Sequence, residues 1–248
     1  MSLRAVRRAV ALAFALVMCL ATYWMRRLRG PMTLVDRARW LQTAAQRVLR
    51  SVGIRSTVVG EVPDSGVVVA NHLSYLDIVI LASAMPCFFV AKAEIARWPF
   101  FGKAARAGGT LFINRGSLMS AERVAGAISE RLALPVPVLF FPEGTSTDGT
   151  EVLRFHSRLF EPAVRAAVPV TTATLRYVIE DGSDERELCW YGDDPFLPHL
   201  WKALGTAGFM AEVQFGEPRV YPHRRVAADE THAEISAQRN GDSLLQAI

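Results

Sequence analysis

The chain has 248 residues and a formal charge of +4, which suits one α/β domain of ordinary size with an appendage. Its three cysteines, Cys19, Cys87 and Cys189, are too few and too scattered for a disulfide framework. We therefore expect them to be reduced core residues in a protein that faces the cytoplasm. No cluster of His, Cys and carboxylates has the spacing of metal ligands, so the sequence predicts neither a metal site nor another cofactor.

The first 55 residues form a basic arm. They contain eleven Arg and one Asp, a net charge of +10, and subtracting this from +4 leaves −6 for residues 56–248. Such an arm predicts an anionic partner surface, either nucleic acid or a membrane. Because residues 9–25 carry no charge and have arginines on both sides, the pattern favours a membrane and no nucleic acid.

As a helix, residues 9–25 would cover about 25 Å, the short limit for crossing a bilayer core. Tyr23 and Trp24 lie where an interfacial aromatic belt would be. A cleaved signal peptide is the alternative, but no small-x-small cleavage site precedes the second arginine cluster. Crossing the bilayer and shallow insertion into it are both compatible with this pattern.

The following segment, 34–53, has an apolar stripe that predicts an amphipathic helix. Its members alternate by four and three along the chain: Leu34, Ala38, Leu41, Ala45, Val48 and Val52. Such a helix either packs on the protein core or lies on anionic lipid. We predict that residues 1–55 hold the body of the protein against a membrane.

The body, residues 56–225, alternates short apolar runs with helical patterns, and this predicts an α/β layer fold. Strands are predicted at 56–61, 66–71, 87–91, 110–114, 136–141, 168–178, 187–191 and 210–216. Helices are predicted at 75–84, 118–133, 157–167 and 197–208, with a polar helix or tail over 226–248.

The strand at 66–71 leads directly into His72, and Asp77 follows five residues later. On one regular helix the two side chains would lie about 140° apart, so they meet only if the chain bends between them. A histidine and a carboxylate in contact are a common acid–base pair. The alternative is a helix cap, because Ser74 is a plausible N-cap and Ser-x-x-Asp matches the capping box.

Three further blocks place polar residues after, or at the start of, a predicted strand. Arg115 follows the strand at 110–114 and suits a phosphate or carboxylate, unless it is a solvated surface arginine. After the strand at 136–141, Glu143 and Thr145 would form hydrogen bonds to a polyol, and the Gly144 amide would donate to an anion. The alternative is that this segment is an ordinary turn. The last block, Val-Pro-Val at 168–170, opens a predicted strand and on its own is indistinguishable from a core segment.

In this order and spacing the four blocks resemble the glycerolipid acyltransferase family, which contains bacterial 1-acyl-sn-glycerol-3-phosphate acyltransferases. The resemblance covers roughly residues 65–175, and its matched positions are Asn71, His72 and Asp77; Gly109, Phe112, Ile113 and Arg115; Phe141 to Thr145; and Val168 to Val170. It implies a single mixed-sheet acyltransferase domain flanked by helices behind an N-terminal membrane-anchoring helical segment. We expect His72 to act as the general base and Asp77 to orient it. The expected substrate-binding residues are Asn71, Lys92, Arg115, Glu143, Gly144 and Thr145.

The resemblance implies that an acyl chain passes from acyl-CoA or acyl carrier protein to the free hydroxyl of a membrane lysolipid, without a cofactor. The expected reaction converts 1-acyl-sn-glycerol-3-phosphate to phosphatidic acid at a bacterial-type inner membrane, with the catalytic domain facing the cytoplasm. A thioesterase that uses water and a non-catalytic lipid-binding membrane adaptor are the rival hypotheses.

Two departures from the family pattern concern the acceptor. Ser146 stands where many members have arginine, and Phe155-His-Ser-Arg158 replaces a basic Phe-Lys-x-Gly run. The continuation Ser-Thr-Asp-Gly at 146–149 is similar to relatives that acylate lyso-ornithine lipid. That acceptor has no phosphate, and it is the alternative substrate.

Overall fold

One mixed sheet forms the centre of the computed structural model, which describes residues 2–98, 101–113 and 126–241. Within these residues the strand order is β1-β7-β6-β2-β5-β3-β4. Only β6 and β7 are antiparallel, and every other neighbouring pair is parallel. The strands are β1 (Arg55–Val59), β2 (Val67–Ala70), β3 (Phe88–Lys92), β4 (Leu111–Ile113), β5 (Val138–Phe140), β6 (Val170–Ile179) and β7 (Phe209–Phe215). The predicted α/β class with a mixed sheet is confirmed.

Helices flank the sheet. They are α1 (Leu3–Leu28), α2 (Leu34–Val52), α3 (Leu76–Ala84), α4 (Phe101–Gly108), α5 (helical over 126–132), α6 (Glu161–Arg165), α7 (Phe196–Gly205) and α8 (Arg224–Asn240). Short 3₁₀ helices lie at Ala93–Arg97, Ser157–Phe160 and Glu185–Glu187. The division of the chain into an anchor, a domain and a tail at residues 55 and 225 stays a prediction.

Two predicted elements differ from the structure, and one helix was not predicted. The strand at 187–191 is wrong, because a 3₁₀ helix and irregular chain occupy that stretch, and Leu188 and Cys189 are buried without joining the sheet. The helix at 157–167 is a 3₁₀ helix followed by the short α6. Helix α4 had no counterpart in the prediction, and residues 118–125 of the predicted helix at 118–133 lie outside the described part of the chain.

The core lies on both faces of β2, whose four residues are all buried. Parallel strands that are covered on both faces have continuous apolar sequences. Such sequences predicted β2, β3 and β5. Gly66 has φ +76°, and a Cβ there would meet the carbonyl oxygen of Pro169 at 2.5 Å. Close approach of these two segments lets Val67 donate its amide to Pro169 at 2.9 Å and sets β2 beside β6.

Helix α2 packs inward along its length. Thr33 and Asp36 form a capping box at its start, and Gly53 ends it in the left-handed conformation. Ala45 and Leu49 belong to the main core cluster around the sheet. Of the two alternatives for this helix, packing on the protein core is therefore the one observed.

Helix α1 packs on α2 and α7 through small residues, Ala5, Ala15 and Cys19, and its opposite side is apolar and exposed. Arg8 donates to the carbonyl of Thr206 at 2.8 Å, just past the end of α7, while Trp40 of α2 donates to the carbonyl of Cys19 at 3.3 Å. Among the described residues, α1 is the one helix long and apolar enough to cross a membrane by length and composition. Both halves of this helix are thus fastened to the body.

Candidate active site

The carboxyl ends of the parallel strands β2, β5 and β3 meet at one edge of the sheet. The first of these strands leads to His72, the second to Glu143, and the third ends at Lys92. In open α/β sheets this edge is where ligands bind, because loops there bring side chains from several strands together.

His72 and Asp77 meet as the sequence predicted. The chain bends after β2, and α3 places Asp77 in its first turn, so that Nδ1 of His72 lies 2.8 Å from Oδ2 of Asp77. Asp77 is fully buried, with 0% of its side chain exposed, whereas His72 is 18% exposed. Because a carboxylate only accepts hydrogen bonds, Nδ1 carries the proton and the lone pair of Nε2 is open. No hydrogen bond within the described residues reaches that Nε2.

Asp77 also accepts backbone amides, so the two roles foreseen for it coexist. Its Oδ2 accepts from the amides of Leu73 at 2.7 Å and Ser74 at 3.0 Å. The predicted N-cap at Ser74 is wrong, because the cap position falls on Tyr75 and has no side-chain bond. The Ser74 hydroxyl is buried, and no partner for it occurs in the described chain.

The position of His72 is fixed from three directions. Its ring stacks on Phe141 after β5, with 4.0 Å between ring centroids and 13° between planes. Its amide donates to Oε1 of Glu143 at 2.7 Å, and its carbonyl accepts from the amide of Thr147 at 2.9 Å. The segment after β5 therefore holds both the backbone and the imidazole of this residue.

Glu143 is a buried support for this loop. It is 4% exposed, and its second oxygen accepts from the amide of Leu153 at 2.8 Å. Burial raises the pKa of Glu143 to about 7, although the two amides and His72 act in the opposite direction. Both oxygens of Glu143 thus bond backbone amides of the loops around the site, and its expected contact with a headgroup stays a prediction.

Asn71 and Gly144 are likewise used inside the protein. The Asn71 carboxamide is buried and bonds both backbone groups of Leu175, with its Nδ2 3.2 Å from the carbonyl and its Oδ1 2.8 Å from the amide. It ties the end of β2 to β6, and its expected contact with a substrate stays a prediction. The Gly144 amide donates to the carbonyl of Phe141 at 3.1 Å and closes a turn, and its expected role toward an anion stays a prediction.

The structure says less about the other three predicted substrate-binding residues. Lys92 is exposed at the end of β3, on the same edge as His72, and Thr145 is exposed on the turn after β5. Arg115 lies outside the described residues. Substrate-binding roles for these three stay predictions.

Tyr177 is the residue that the sequence analysis missed. Its hydroxyl donates to Oδ1 of Asp77 from near the carboxyl end of β6, one hundred positions along the chain. Burial, and then the charge of Asp77, raise the pKa of Tyr177 well above its ordinary value, so the hydroxyl stays protonated and remains a donor. A tyrosine in an apolar strand carries no sequence signal of such a contact.

A second missed residue, Arg239 of α8, fastens the loops around the site. It donates to the carbonyls of Gly149 at 2.6 Å and Leu175 at 3.1 Å and pairs with Glu185. The C-terminal helix thereby braces the segment that follows β5. No group of three or more His, Cys, Asp or Glu able to hold a metal ion occurs in the described residues.

The raised pKa of Glu143 predicts a pH-dependent effect of Glu143→Gln. In the folded protein the carboxyl keeps its proton up to about pH 7, against an ordinary value of 4.5, so the folded state binds more protons between these limits. The stability of the wild type relative to the variant should therefore fall as the pH rises from about 4.5 to about 7. Urea unfolding of both proteins at pH 5 and pH 8 measures this. A free energy of unfolding of the wild type that rises with pH relative to that of the variant would contradict the prediction.

Comparison with known proteins finds similar lipid acyltransferases. A profile of the family described as Acyltransferase matches residues 55–176. A lyso-ornithine lipid O-acyltransferase of Rhodobacter capsulatus is 39% identical over 173 residues, covering 67% of this chain and 62% of the relative. A 1-acyl-sn-glycerol-3-phosphate acyltransferase of Neisseria gonorrhoeae is 36% identical over 155 residues, covering 62% of this chain and 60% of the relative. The matches thus span less than two thirds of the length of these relatives.

A solved structure shows the same fold. The crystal structure of the 1-acyl-sn-glycerophosphate acyltransferase of Thermotoga maritima superposes with a TM-score of 0.66 and covers 97% of this chain and 100% of that one. At 16% identity this likeness concerns the fold alone. A lyso-ornithine lipid O-acyltransferase of Brucella abortus is 34% identical over 185 residues, covering 69% of this chain and 69% of the relative. By this relative and the family profile, the chain belongs to the acyltransferase family.

Proposed function

We propose that the protein transfers an acyl chain from an acyl thioester to the free hydroxyl of a lysolipid. The observation that carries this proposal is His72, held by Asp77 through Nδ1 at 2.8 Å, with Nε2 open at the carboxyl edge of the sheet. The names of the similar acyltransferases support the reaction class.

In the proposed mechanism, Nε2 of His72 takes the proton of the acceptor hydroxyl as that oxygen attacks the thioester carbonyl. Asp77 fixes the tautomer and stabilises the imidazolium that forms. Collapse of the tetrahedral intermediate breaks the carbon–sulfur bond, and the imidazolium returns the proton to the departing sulfur. Acyl transfer is direct, because the Ser74 hydroxyl is fully buried and the acceptor itself supplies the nucleophile.

Replacing the base tests this mechanism. His72→Ala should lower the rate of acyl transfer by about 10² to 10⁴, the usual contribution of a general base, while the protein stays folded. The control is His232→Ala, since His232 lies on α8 and contacts the carbonyl of Val152. Product formation from a labelled acyl thioester is the measurement. Full activity in His72→Ala would exclude the assignment, and thiol release that needs no lysolipid would indicate a thioesterase instead.

Two acceptors are candidates. 1-Acyl-sn-glycerol-3-phosphate is the first, and Lys92 and Arg115 are the cations that would meet its phosphate. Lyso-ornithine lipid is the second, and the segment beside His72 favours it. There Ser146 donates to the carbonyl of Trp190 at 2.6 Å and Asp148 bonds Thr150, so residues 146–149 bring no cation to the place where many relatives have arginine.

An acceptor panel separates these candidates. The purified protein is given acyl-CoA or acyl carrier protein as the labelled donor, with lysophosphatidate or lyso-ornithine lipid as the acceptor. We expect about 10-fold or greater preference for lyso-ornithine lipid, the size of effect expected when one charged hydrogen bond to a phosphate is missing. Preferential formation of labelled phosphatidic acid would exclude this acceptor in favour of the first.

We further propose that α1 lies in the plane of the cytoplasmic leaflet of the inner membrane. Its outer side is apolar and exposed, and the exposed residues include Leu3, Val10, Phe14, Val17, Leu20, Trp24 and Leu28. Crossing the bilayer would break the packing of its inner side on α2 and α7 and the bonds from Arg8. In-plane insertion keeps both, and the arginines at either end suit anionic headgroups.

Charge placed on the outer side of α1 should release the protein from membranes. Phe14→Glu puts a carboxylate on a residue that is 68% exposed, and binding to vesicles containing phosphatidylglycerol should fall about 10-fold. Val220→Glu, at a position that is 58% exposed before α8, is the matched control and should bind as the wild type does. Co-sedimentation measures both, and equal binding of the two variants would contradict the in-plane arrangement.

A further inference from the structure

The two oxygens of the Asp77 carboxylate have unequal surroundings. Oδ2 accepts from Nδ1 of His72 and from the amides of Leu73 and Ser74. Within the described residues, Oδ1 has one partner, the hydroxyl of Tyr177. Because Asp77 is fully buried, water does not take the place of a missing donor.

We propose that Tyr177 is a positioning residue for the base, whose hydroxyl holds the Asp77 carboxylate in the rotation that aims Oδ2 at His72. The inference rests on the proposed function, in which His72 is the base. Without the hydroxyl, a buried oxygen is left with no donor, and the carboxylate turns to share the three donors that now meet Oδ2. The carboxylate stays beside His72, but Nδ1 no longer faces one fixed acceptor oxygen, so the imidazole loses its set orientation.

The surrounding structure fixes the Tyr177 hydroxyl in space. Tyr177 pairs with Ala211 in the antiparallel register of β6 and β7, and its ring lies 5.3 Å from that of Phe209. Its amide donates to Oε2 of Glu185 at 3.1 Å, and Arg239 holds that same carboxylate. A residue fixed on both its backbone and its ring is suited to orient another side chain.

The hydroxyl also has an electrostatic effect. Its hydrogen bond to Oδ1 stabilises the negative charge of Asp77. This weakens the attraction between that carboxylate and a protonated His72. The other titratable groups that face this pair are Glu185 and Cys189 beside Tyr177, and Glu143 beside His72. Removing the hydroxyl leaves these groups unchanged and concentrates the charge on Asp77.

Tyr177→Phe tests the proposal. We expect kcat to fall about 10- to 100-fold with unchanged KM for donor and acceptor, because substrate contacts are untouched and one hydrogen bond to a charged group is lost. The acidic limb of the pH–rate profile should move to higher pH, since the protonated imidazole gains attraction. A loss of packing alone would not move that limb.

Tyr75→Phe is the matched control. Tyr75 is equally a buried tyrosine and lies in the loop between His72 and Asp77, but its hydroxyl contacts Nδ1 of His199 at 3.1 Å. It should keep the wild-type kcat and acidic limb. Unfolding midpoints of both variants show how much each hydroxyl contributes to stability.

A second substitution avoids any loss of folding. 3-Fluorotyrosine at position 177 keeps the shape and makes the hydroxyl a stronger donor, so the acidic limb should move to lower pH. Wild-type kinetics in Tyr177→Phe, or a limb that stays in place in both variants, would overturn the proposal. His72→Ala is assayed alongside. If it stays active, the proposed function fails, whereas an inactive His72→Ala beside an unaffected Tyr177→Phe rejects only the role of Tyr177.

Discussion

A carboxylate without solvent must be supplied with hydrogen-bond donors, and the burial of Asp77 imposes this demand on the centre of the fold. Four donors meet it: an imidazole, two amides of the bend after β2, and a hydroxyl from β6. The bend, the start of α3 and the position of β6 all have to agree for these donors to converge. Catalytic geometry and local stability are thus properties of the same set of bonds.

A second buried carboxylate has a similar task. Glu143 joins the amide of His72 to the amide of Leu153, and so connects the loops after β2 and β5. Together with the stacking of Phe141 on the imidazole, this leaves His72 little freedom before any substrate arrives. Acyl transfer benefits from such preorganisation, because the base need not be ordered in the transition state.

The sequence predicted much of this arrangement. Apolar runs ending on polar residues located β2, β3 and β5, and the five-residue spacing of His72 and Asp77 required the bend that is observed. Local pattern does not decide which way a side chain turns at such a bend. For that reason the sequence did not predict that Asn71 and Glu143 bond backbone groups. The alternative of an N-cap at Ser74 is likewise replaced by a cap position at Tyr75. Tyr177 and Arg239 were beyond sequence reasoning, because their contacts depend on how distant elements pack.

Because α1 packs on both α2 and α7, its position relative to the sheet is fixed. Because α1 is packed along its inner side on α2 and α7, the sheet edge, and His72 with it, stands at a set distance from the axis of this helix. In the in-plane arrangement proposed for α1, the acceptor would reach His72 from the leaflet, and its supply would depend on molecules per unit area of membrane. Turnover would follow the local crowding of lipid, with the volume of the surrounding solution mattering only for the donor.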